Sequence, residues 1–337
     1  MKRFLTVLSA ILILAVGLAG CGTTAASTNA GSSGSGTAGP KAVKVGIIQI
    51  VEHPALDAAR KGFLETLKAN GYEEGKNLTL DYKNAQGDQS TLNAIAQQFA
   101  STKPDLVLAI ATPSAQAMAA ASNTIPILIT AVTDPVAAKL VNSMDKPGTN
   151  VTGTTDMNPL KEQFELLKKL VPQAKKVGVI YNAGEVNSQV QVKMAKEVGA
   201  AMGLGIVEKT VASTADVQQA TQALVGQVDV VYVPTDNLVV SAAPTLLQVT
   251  NKAKIPVISG ESSVVDKGAL GTIGINYENL GKQTGEMALK VLKGSKPQDM
   301  AIESQKDFDT VINKTSAALL GIKIPDDLKN AKLIETK

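Results

Sequence analysis

The chain has 337 residues, a formal charge of +3, one cysteine, one histidine and no tryptophan. A Cys/His zinc or iron site takes three or four such ligands and this chain offers two, so that chemistry is excluded, as is an intrachain disulfide. No basic run exceeds two residues, which leaves no footprint for a nucleic-acid partner. With 44% hydrophobic and 19% charged residues the composition is that of an ordinary globular protein, and the length gives two domains as the prior.

Lys2 and Arg3 form a short positive region, and Phe4 to Val16 is an apolar run broken only by Thr6 and Ser9. That length suits the apolar part of a signal peptide and is short for a membrane span. The following Leu18-Ala19-Gly20-Cys21 resembles the lipobox of bacterial lipoproteins, whose cysteine thiol receives diacylglycerol while the leader is cut before it. The resemblance implies a signal peptide over residues 1–20 and lipidation at Cys21; a plain signal peptide with a chance cysteine is the alternative. Two acyl chains meet the two-signal requirement for stable anchoring. Loss of Lys2 and Arg3 would leave a charge of +1. Residues 22–40 carry no charge and almost no large side chain. The segment 21–41 is therefore expected to be a flexible tether, with a reach of roughly 25 Å. A body held outside the membrane argues against ATP or NAD, and no cofactor is expected.

Val43 to Ile50 is a β-branched run, followed by a helical pattern from Pro54 to about Asn70 that Gly71 closes. Leu78 to Tyr82 predicts a strand, Gln89 to Ser101 a helix, Leu106 to Ile110 a strand, Ser114 to Ala121 a helix and Ile127 to Ile129 a strand. Such alternation suits crossover units, hence a parallel sheet with helices on both faces. The plan then repeats. Lys44-Val45-Gly46-Ile47-Ile48 returns as Lys176-Val177-Gly178-Val179-Ile180, Asp105-Leu106-Val107 as Asp229-Val230-Val231, and Ile125-Pro126-Ile127 as Ile255-Pro256-Val257. Three matches in one order at nearly one offset predict two similar α/β lobes, with the switch near residues 153–158. Beyond the second copy, Gly271 to Asn276 predicts a strand, Asn279 to Leu292 an amphipathic helix, and two short strands follow near Ala301–Glu303 and Thr310–Ile312. That surplus fits a chain returning across a hinge to complete each lobe, with Gly153–Thr155 and Gly274–Asn276 as hinge strands.

In open parallel sheets ligands gather beyond the carboxyl ends of the strands, and two facing lobes make a cleft that can close. The polar residues expected there are Glu52 and His53, Thr112 and Ser114, and Thr133 and Asp134 in the first lobe. In the second they are Asn182, Glu185, Asn187 and Ser188, then Asp236 and Asn237, then Glu261. Thr112 and Ser114 at a helix start could hold a carboxylate, and the acids an ammonium, which is the complement of an amino-acid zwitterion. Each of these residues could equally be a helix cap. Tyr181, Tyr232 and Tyr277 could stack on a ligand or serve as core and rim residues. Gly71 to Asn77 lacks the spacing of a phosphate loop and precedes a strand, so it is read as a turn.

The ordered set Val45 to Asp57 with Gly62-Phe63, Ala111 to Gln116, Val132 to Pro135, Gly148 to Gly153, Gly178 to Asn182 with Glu185, Asn187 and Ser188, Pro234 to Asn237, and Asn313 to Ser316 resembles the solute-binding lipoproteins of ABC importers. The branch it is most similar to is associated with tryptophan or tyrosine uptake. The resemblance spans residues 41–327. It implies a type I periplasmic-binding-protein fold: two Rossmann-like lobes with parallel sheets, joined by a three-segment hinge. Lobe one would take residues 42–154 plus 278–304, and lobe two 155–277 plus 305–337. It further implies no catalysis and no metal, with a cleft formed by Glu52, Thr112, Ser114, Thr133, Asp134, Glu185, Asn187, Ser188, Asp236, Asn237 and Glu261. The expected partners are a small-molecule ligand, an amino acid with aromatic ones preferred, an ABC permease, and the membrane through the lipid on Cys21, for a monomeric extracytoplasmic protein. A sensory receptor of the same fold, or a nucleoside or sugar as ligand, stays open. A hydrolase is disfavoured because His53 has no Gly-x-Ser-x-Gly partner, and a DNA-binding regulator by the leader and the missing headpiece.

Overall fold

Strands separated by helices cannot pair as tight hairpins, and a strand–helix–strand unit in one sheet is normally a parallel crossover. The computed structural model describes residues 41–328 and 330–336. The expected leader, Cys21 and almost all of the tether lie outside the described residues. The first stretch runs β1 (Val43–Gln49), α1 (Pro54–Ala69), β2 (Leu78–Asn84), α2 (Gln89–Thr102), β3 (Leu106–Ile110), α3 (Thr112–Ala121), β4 (Ile127–Val132) and β5 (Val151–Thr155). The second runs α4 (Leu160–Leu170), β6 (Lys176–Asn182), α5 (Val186–Ala201), β7 (Gly205–Val211), α6 (Asp216–Gln222), β8 (Val230–Val233), α7 (Asn237–Ser241), α8 (Ala243–Lys252), β9 (Val257–Ser259), α9 (Ser262–Asp266) and β10 (Gly271–Gly274). The chain ends with α10 (Tyr277–Leu292), β11 (Glu303–Ser304), β12 (Asp309–Asn313), α11 (Lys314–Leu320) and β13 (Lys332–Ile334).

The first sheet has the order β11-β5-β4-β3-β1-β2, the second β13-β12-β10-β9-β8-β6-β7. Every pairing is parallel except β10 with β12. Read from one edge, β2-β1-β3-β4-β5 and β7-β6-β8-β9-β10 are the same arrangement, so the repeat in the sequence is a repeat of topology. Its matched residues also do the same work. Asp105 Oδ2 accepts from the Lys44 amide at 2.7 Å, and Asp229 Oδ2 from the Lys175 and Lys176 amides at 2.8 Å, which pins the start of β1 and of β6. The Val107 amide donates to the Pro126 carbonyl and the Val231 amide to the Pro256 carbonyl, both at 2.9 Å.

The chain passes from one sheet to the other three times, after β5, after β10 and after β11. The middle passage brings α10 back onto α1, and this pair is packed backbone to backbone. A Cβ on Gly62 would run into the Glu278 carbonyl, and one on Gly281 into the Ala59 carbonyl. Apolar side chains then close over the contact, with Phe63, Leu67, Leu280 and Met287 buried. The flanking pairs Lys61–Glu278 (2.8 Å) and Lys282–Glu65 (3.4 Å) are largely exposed and add little. No helix among the described residues is long and apolar enough to cross a membrane.

Gly281→Ala should therefore cost about 1–3 kcal/mol or more, since the obstacle is backbone and cannot swing aside. Gly205→Ala, where an added Cβ meets nothing nearer than 3.7 Å, should stay within about 0.5 kcal/mol of the parent. Urea unfolding of the two variants measures both.

Candidate functional site

Because β1 to β5 run parallel in the first sheet and β6 to β10 in the second, the helices that follow them begin at the same edge. His53 is the N-cap of α1, Ala111 of α3, Asp236 of α7, Glu261 of α9 and Asn276 of α10. Both sheets belong to one compact unit, and between their carboxyl edges lies a tightly closed cavity of about 10 Å³. The first-sheet side contributes His53, Leu56 and Ala131, the passage after β5 contributes Asp156, and α10 contributes Tyr277. The second-sheet side contributes Thr235, Asn237, Val240 and Glu261. A wider crevice outside it runs past Val51, Pro113, Glu185 and Leu238 to solvent.

Two of the lining groups are buried acids with few partners. Asp156 is 2% exposed; its Oδ1 accepts from Thr133 Oγ1 at 3.1 Å and its Oδ2 from the Tyr277 hydroxyl at 2.6 Å. Glu261 is 1% exposed and accepts from the Ser263 amide (2.9 Å) and hydroxyl (2.6 Å). Burial raises the pKa of both carboxyls. The phenol of Tyr277 is raised too, by burial and then by the charges of Asp156 and Glu261.

A second acid pair is fully engaged by the protein. Asp236 takes bonds from the Asn182 and Val239 amides and from Ser188 Oγ (2.6, 2.8 and 2.7 Å). Glu185 takes them from Asn187 Nδ2, from both the amide and Nδ2 of Asn237, and from the Leu238 amide. Burial, and next the charge of Asp236, push Glu185 up to about 8. His53 moves the other way, to about 3, because burial and then the Lys267 charge oppose a second cation; its hydrogen bond to Asn237 only partly offsets them.

The start of α3 is under strain. Ala111 sits at φ 76°, ψ 156°, a region almost reserved for glycine, and Ala131 at φ 56°. The two are neighbours, since Ile110 pairs with Thr130 in the β3–β4 register. Beside them the hydroxyls of Thr112 and Ser114 are buried without a protein partner, as are His53 Nδ1 and Asn187 Oδ1. Each such atom costs about 1–3 kcal/mol if left unmatched, and strain of this kind concentrates where a ligand is gripped.

Of the sequence candidates, the structure gathers Asn237 and Glu261 on the cavity, with Thr133 bonded to the lining Asp156; Thr112 and Ser114 lie in the first turn of α3, after the strained Ala111, and do not line it. Glu185, Asn187, Ser188 and Asp236 form one hydrogen-bonded knot behind Asn237. Glu52 is exposed and accepts from Tyr82 OH at 3.0 Å, while Asp134 caps the amides of Val136 and Ala137; neither lines the cavity. Tyr181 turns to Glu208, and Tyr232 lies in the core with its ring edge on Phe164, 5.3 Å between centroids. Asp156, Leu56, Ala131 and Val240 were not singled out by sequence. The one hint for Asp156 was its place in the expected switch at 153–158. Among the described residues no cluster of three His, Cys, Asp or Glu could hold a metal ion.

The family described as ABC transporter substrate binding protein matches residues 44–333. The chain belongs to that family. Proteins of this family are extracytoplasmic, bind small molecules for ABC transporters and do not catalyse. The substrate-binding protein is 46% identical over 280 residues to a "Tyrosine-binding protein" of Clostridioides difficile (strain R20291), covering 83% of this chain and 81% of that one. Among solved structures it is similar to an ABC domain in complex with L-Trp from Streptococcus pneumonia (37% identity, 87% of this chain and 100% of that, TM-score 0.85). It is also similar to a ligand-free, open structure of a substrate-binding protein with adhesive properties from Clostridium difficile (49%, 88% and 100%, 0.67). The fold is that of the type I periplasmic binding proteins.

The raised Glu185 makes stability depend on pH. The folded protein keeps a proton that the unfolded chain releases above the ordinary value of 4.5. That stabilisation is complete below about 4.5 and is lost as pH rises toward 8. Urea unfolding between pH 5 and 8 should show a slope up to about 1.4 kcal/mol per pH unit steeper in the parent than in Glu185→Gln. Equal slopes would place the proton elsewhere.

Proposed function

We propose that this protein captures an amino acid with an aromatic side chain between its two lobes and delivers it to an ABC permease. The observation that carries the reading is a division of labour around the cavity. Unmatched hydroxyls of Thr112 and Ser114 stand at a strained helix start, which suits a carboxylate. A carboxylate has about four lone-pair sites; Asp156 and Glu261 each use two and so can take an ammonium, whereas Glu185 and Asp236 are already engaged. Those last two, with Asn187 and Ser188, serve to place Asn237. Leu56, Ala131 and Val240 with the rings of His53 and Tyr277 offer an apolar slot for the side chain. At about 10 Å³ the space holds no more than about one water, so the lobes stand shut on it and must part to admit a ligand.

The ligands named for the two relatives, tyrosine and L-Trp, support the aromatic preference. The backbone agrees better with the Trp complex than with the more identical open structure, which supports reading this arrangement as the closed one. Closure would join a lobe of residues 42–154 plus 278–304 to one of 155–277 plus 305–337. The lipobox resemblance supports anchoring of the expected monomer through diacylglycerol on Cys21, and says nothing of its oligomeric state.

A melting screen across amino acids, nucleosides and sugars tests the ligand class. A cognate compound at about 100 times its dissociation constant should add about 2.7 kcal/mol, and a shift by a sugar or nucleoside alone sinks the proposal. Thr112→Val should leave the ligand-free melting temperature unchanged or higher, because it removes an unmatched group, yet weaken ligand binding at least tenfold. Asp156→Asn should weaken binding to a similar degree by calorimetry. For the anchor, Cys21→Ala should abolish incorporation of labelled palmitate and release the protein from cells; retention on the membrane would count against it.

A further inference from the structure

His53 is 7% exposed, lines the cavity, and has a ring nitrogen, Nδ1, with no protein partner. Which tautomer it holds follows from its neighbours. One of the two Nδ2 hydrogens of Asn237 goes to Glu185 Oε2 at 2.5 Å, and the amide oxygen is the group that can accept from the ring. The bond between Asn237 and His53 stabilises the protonated ring, as it does when the ring donates. With Nδ1 bare, the donor is Nε2–H, and Nδ1 carries a lone pair. The chain Glu185, Asn237, His53 thus runs from the second-sheet side to the first and ends in an unmatched acceptor on a residue that lines the cavity.

We propose that His53 Nδ1 accepts a hydrogen bond from a donor on the ligand's side chain, a phenol O–H or an indole N–H, and so ranks tyrosine and tryptophan above phenylalanine. This rests on the amino-acid reading above and assigns the side-chain end of that ligand. The ammonium goes instead to the carboxylates, because charge-assisted bonds are roughly twice as strong as neutral ones. A neutral imidazole beside Leu56 and Val240 suits a neutral donor on a largely apolar group. Burial and Lys267 keep the ring neutral across physiological pH, so the acceptor is not lost to protonation. A site built to bond a hydroxyl rejects the analogue that lacks it, because the buried acceptor is then left unmatched. Asn237 is a positioning residue, acting through the tautomer it enforces.

His53 is the only histidine in the chain, so nitrogen-15 NMR of the purified protein reads one imidazole. The expected spectrum is a neutral ring with the proton on Nε2 from pH 5 upward, and Asn237→Ala should let the other tautomer appear. Calorimetry with L-tyrosine, L-tryptophan and L-phenylalanine should give the parent at least a tenfold preference for the first two. In His53→Phe the preference should collapse toward unity, with phenylalanine binding retained. A proton on Nδ1 in the parent, no preference in the parent, or the same preference in the variant overturns the assignment. Equal loss for all three ligands in a variant that melts cooperatively also overturns it, since that is the pattern of an ammonium contact. If His53→Phe does not fold, the parent's preference and tautomer still decide. Failure of the parent to bind any of the three sinks the aromatic amino-acid reading itself, and this inference with it.

Discussion

The backbone contact between α1 and α10 fixes most of what happens at the cleft. Helices normally keep 8–10 Å between their axes because side chains stand between them; Gly62 and Gly281 remove those side chains at the crossing, and each helix lies against the other's carbonyls. Both helices then start at the same place. One begins after His53 and the other at Tyr277, so two residues far apart in sequence share a cavity. The returning chain is therefore part of the site and not merely a completion of the first sheet. Tyr277 also reaches Asp156 at the passage after β5, which ties two of the three passages between the sheets to one hydrogen bond.

Parallel topology sets the electrostatics. Every crossover aims a helix N-terminus at the cleft, and the partial positive charge of those ends favours an anion. Left to itself such a cleft would draw any carboxylate or phosphate. Asp156 and Glu261, buried and only half engaged, add the opposite preference a short way off. An ion of one sign satisfies half of this arrangement and meets repulsion or desolvation in the other half. A zwitterion satisfies both, and the apolar patch of Leu56, Ala131 and Val240 then discriminates among zwitterions by side chain.

The fold was largely legible because its repeat has a physical cause. Asp105 and Asp229 match because each caps the start of the neighbouring strand, and Pro126 and Pro256 match because each offers its carbonyl to the second residue of the neighbouring strand, Val107 in β3 and Val231 in β8. Runs such as Leu106–Ile110 read as buried strands and are buried on both faces. The site was legible only in outline. A Ser, Thr, Asp or Asn at a helix start looks the same in sequence whether it caps the helix or waits for a ligand. Structure separates them: Asp236 and Asp134 spend their oxygens on backbone amides, while Thr112 and Ser114 spend theirs on nothing in the protein. Asp156 escaped notice because it lies between elements, where no periodicity marks burial. Leu56 and Val240 escaped for the opposite reason, since helical spacing assigns them to a core.

The same unmatched groups bear on closure. In this arrangement Thr112, Ser114, Asn187 and His53 are buried away from water, and each keeps an atom without a protein partner. The arrangement also confines two acids whose charged forms burial disfavours. At about 1–3 kcal/mol for each unmatched atom, this sum competes with the contacts that closure gains, such as the bond from His53 to Asn237. A ligand that supplies a carboxylate, an ammonium and an apolar body cancels those costs only when the lobes are shut, because only then do all the groups face it at once. Differential stabilisation of one conformer is what shifts a conformational equilibrium, so the polar atoms left unmatched by the protein are what make closure conditional on the right ligand.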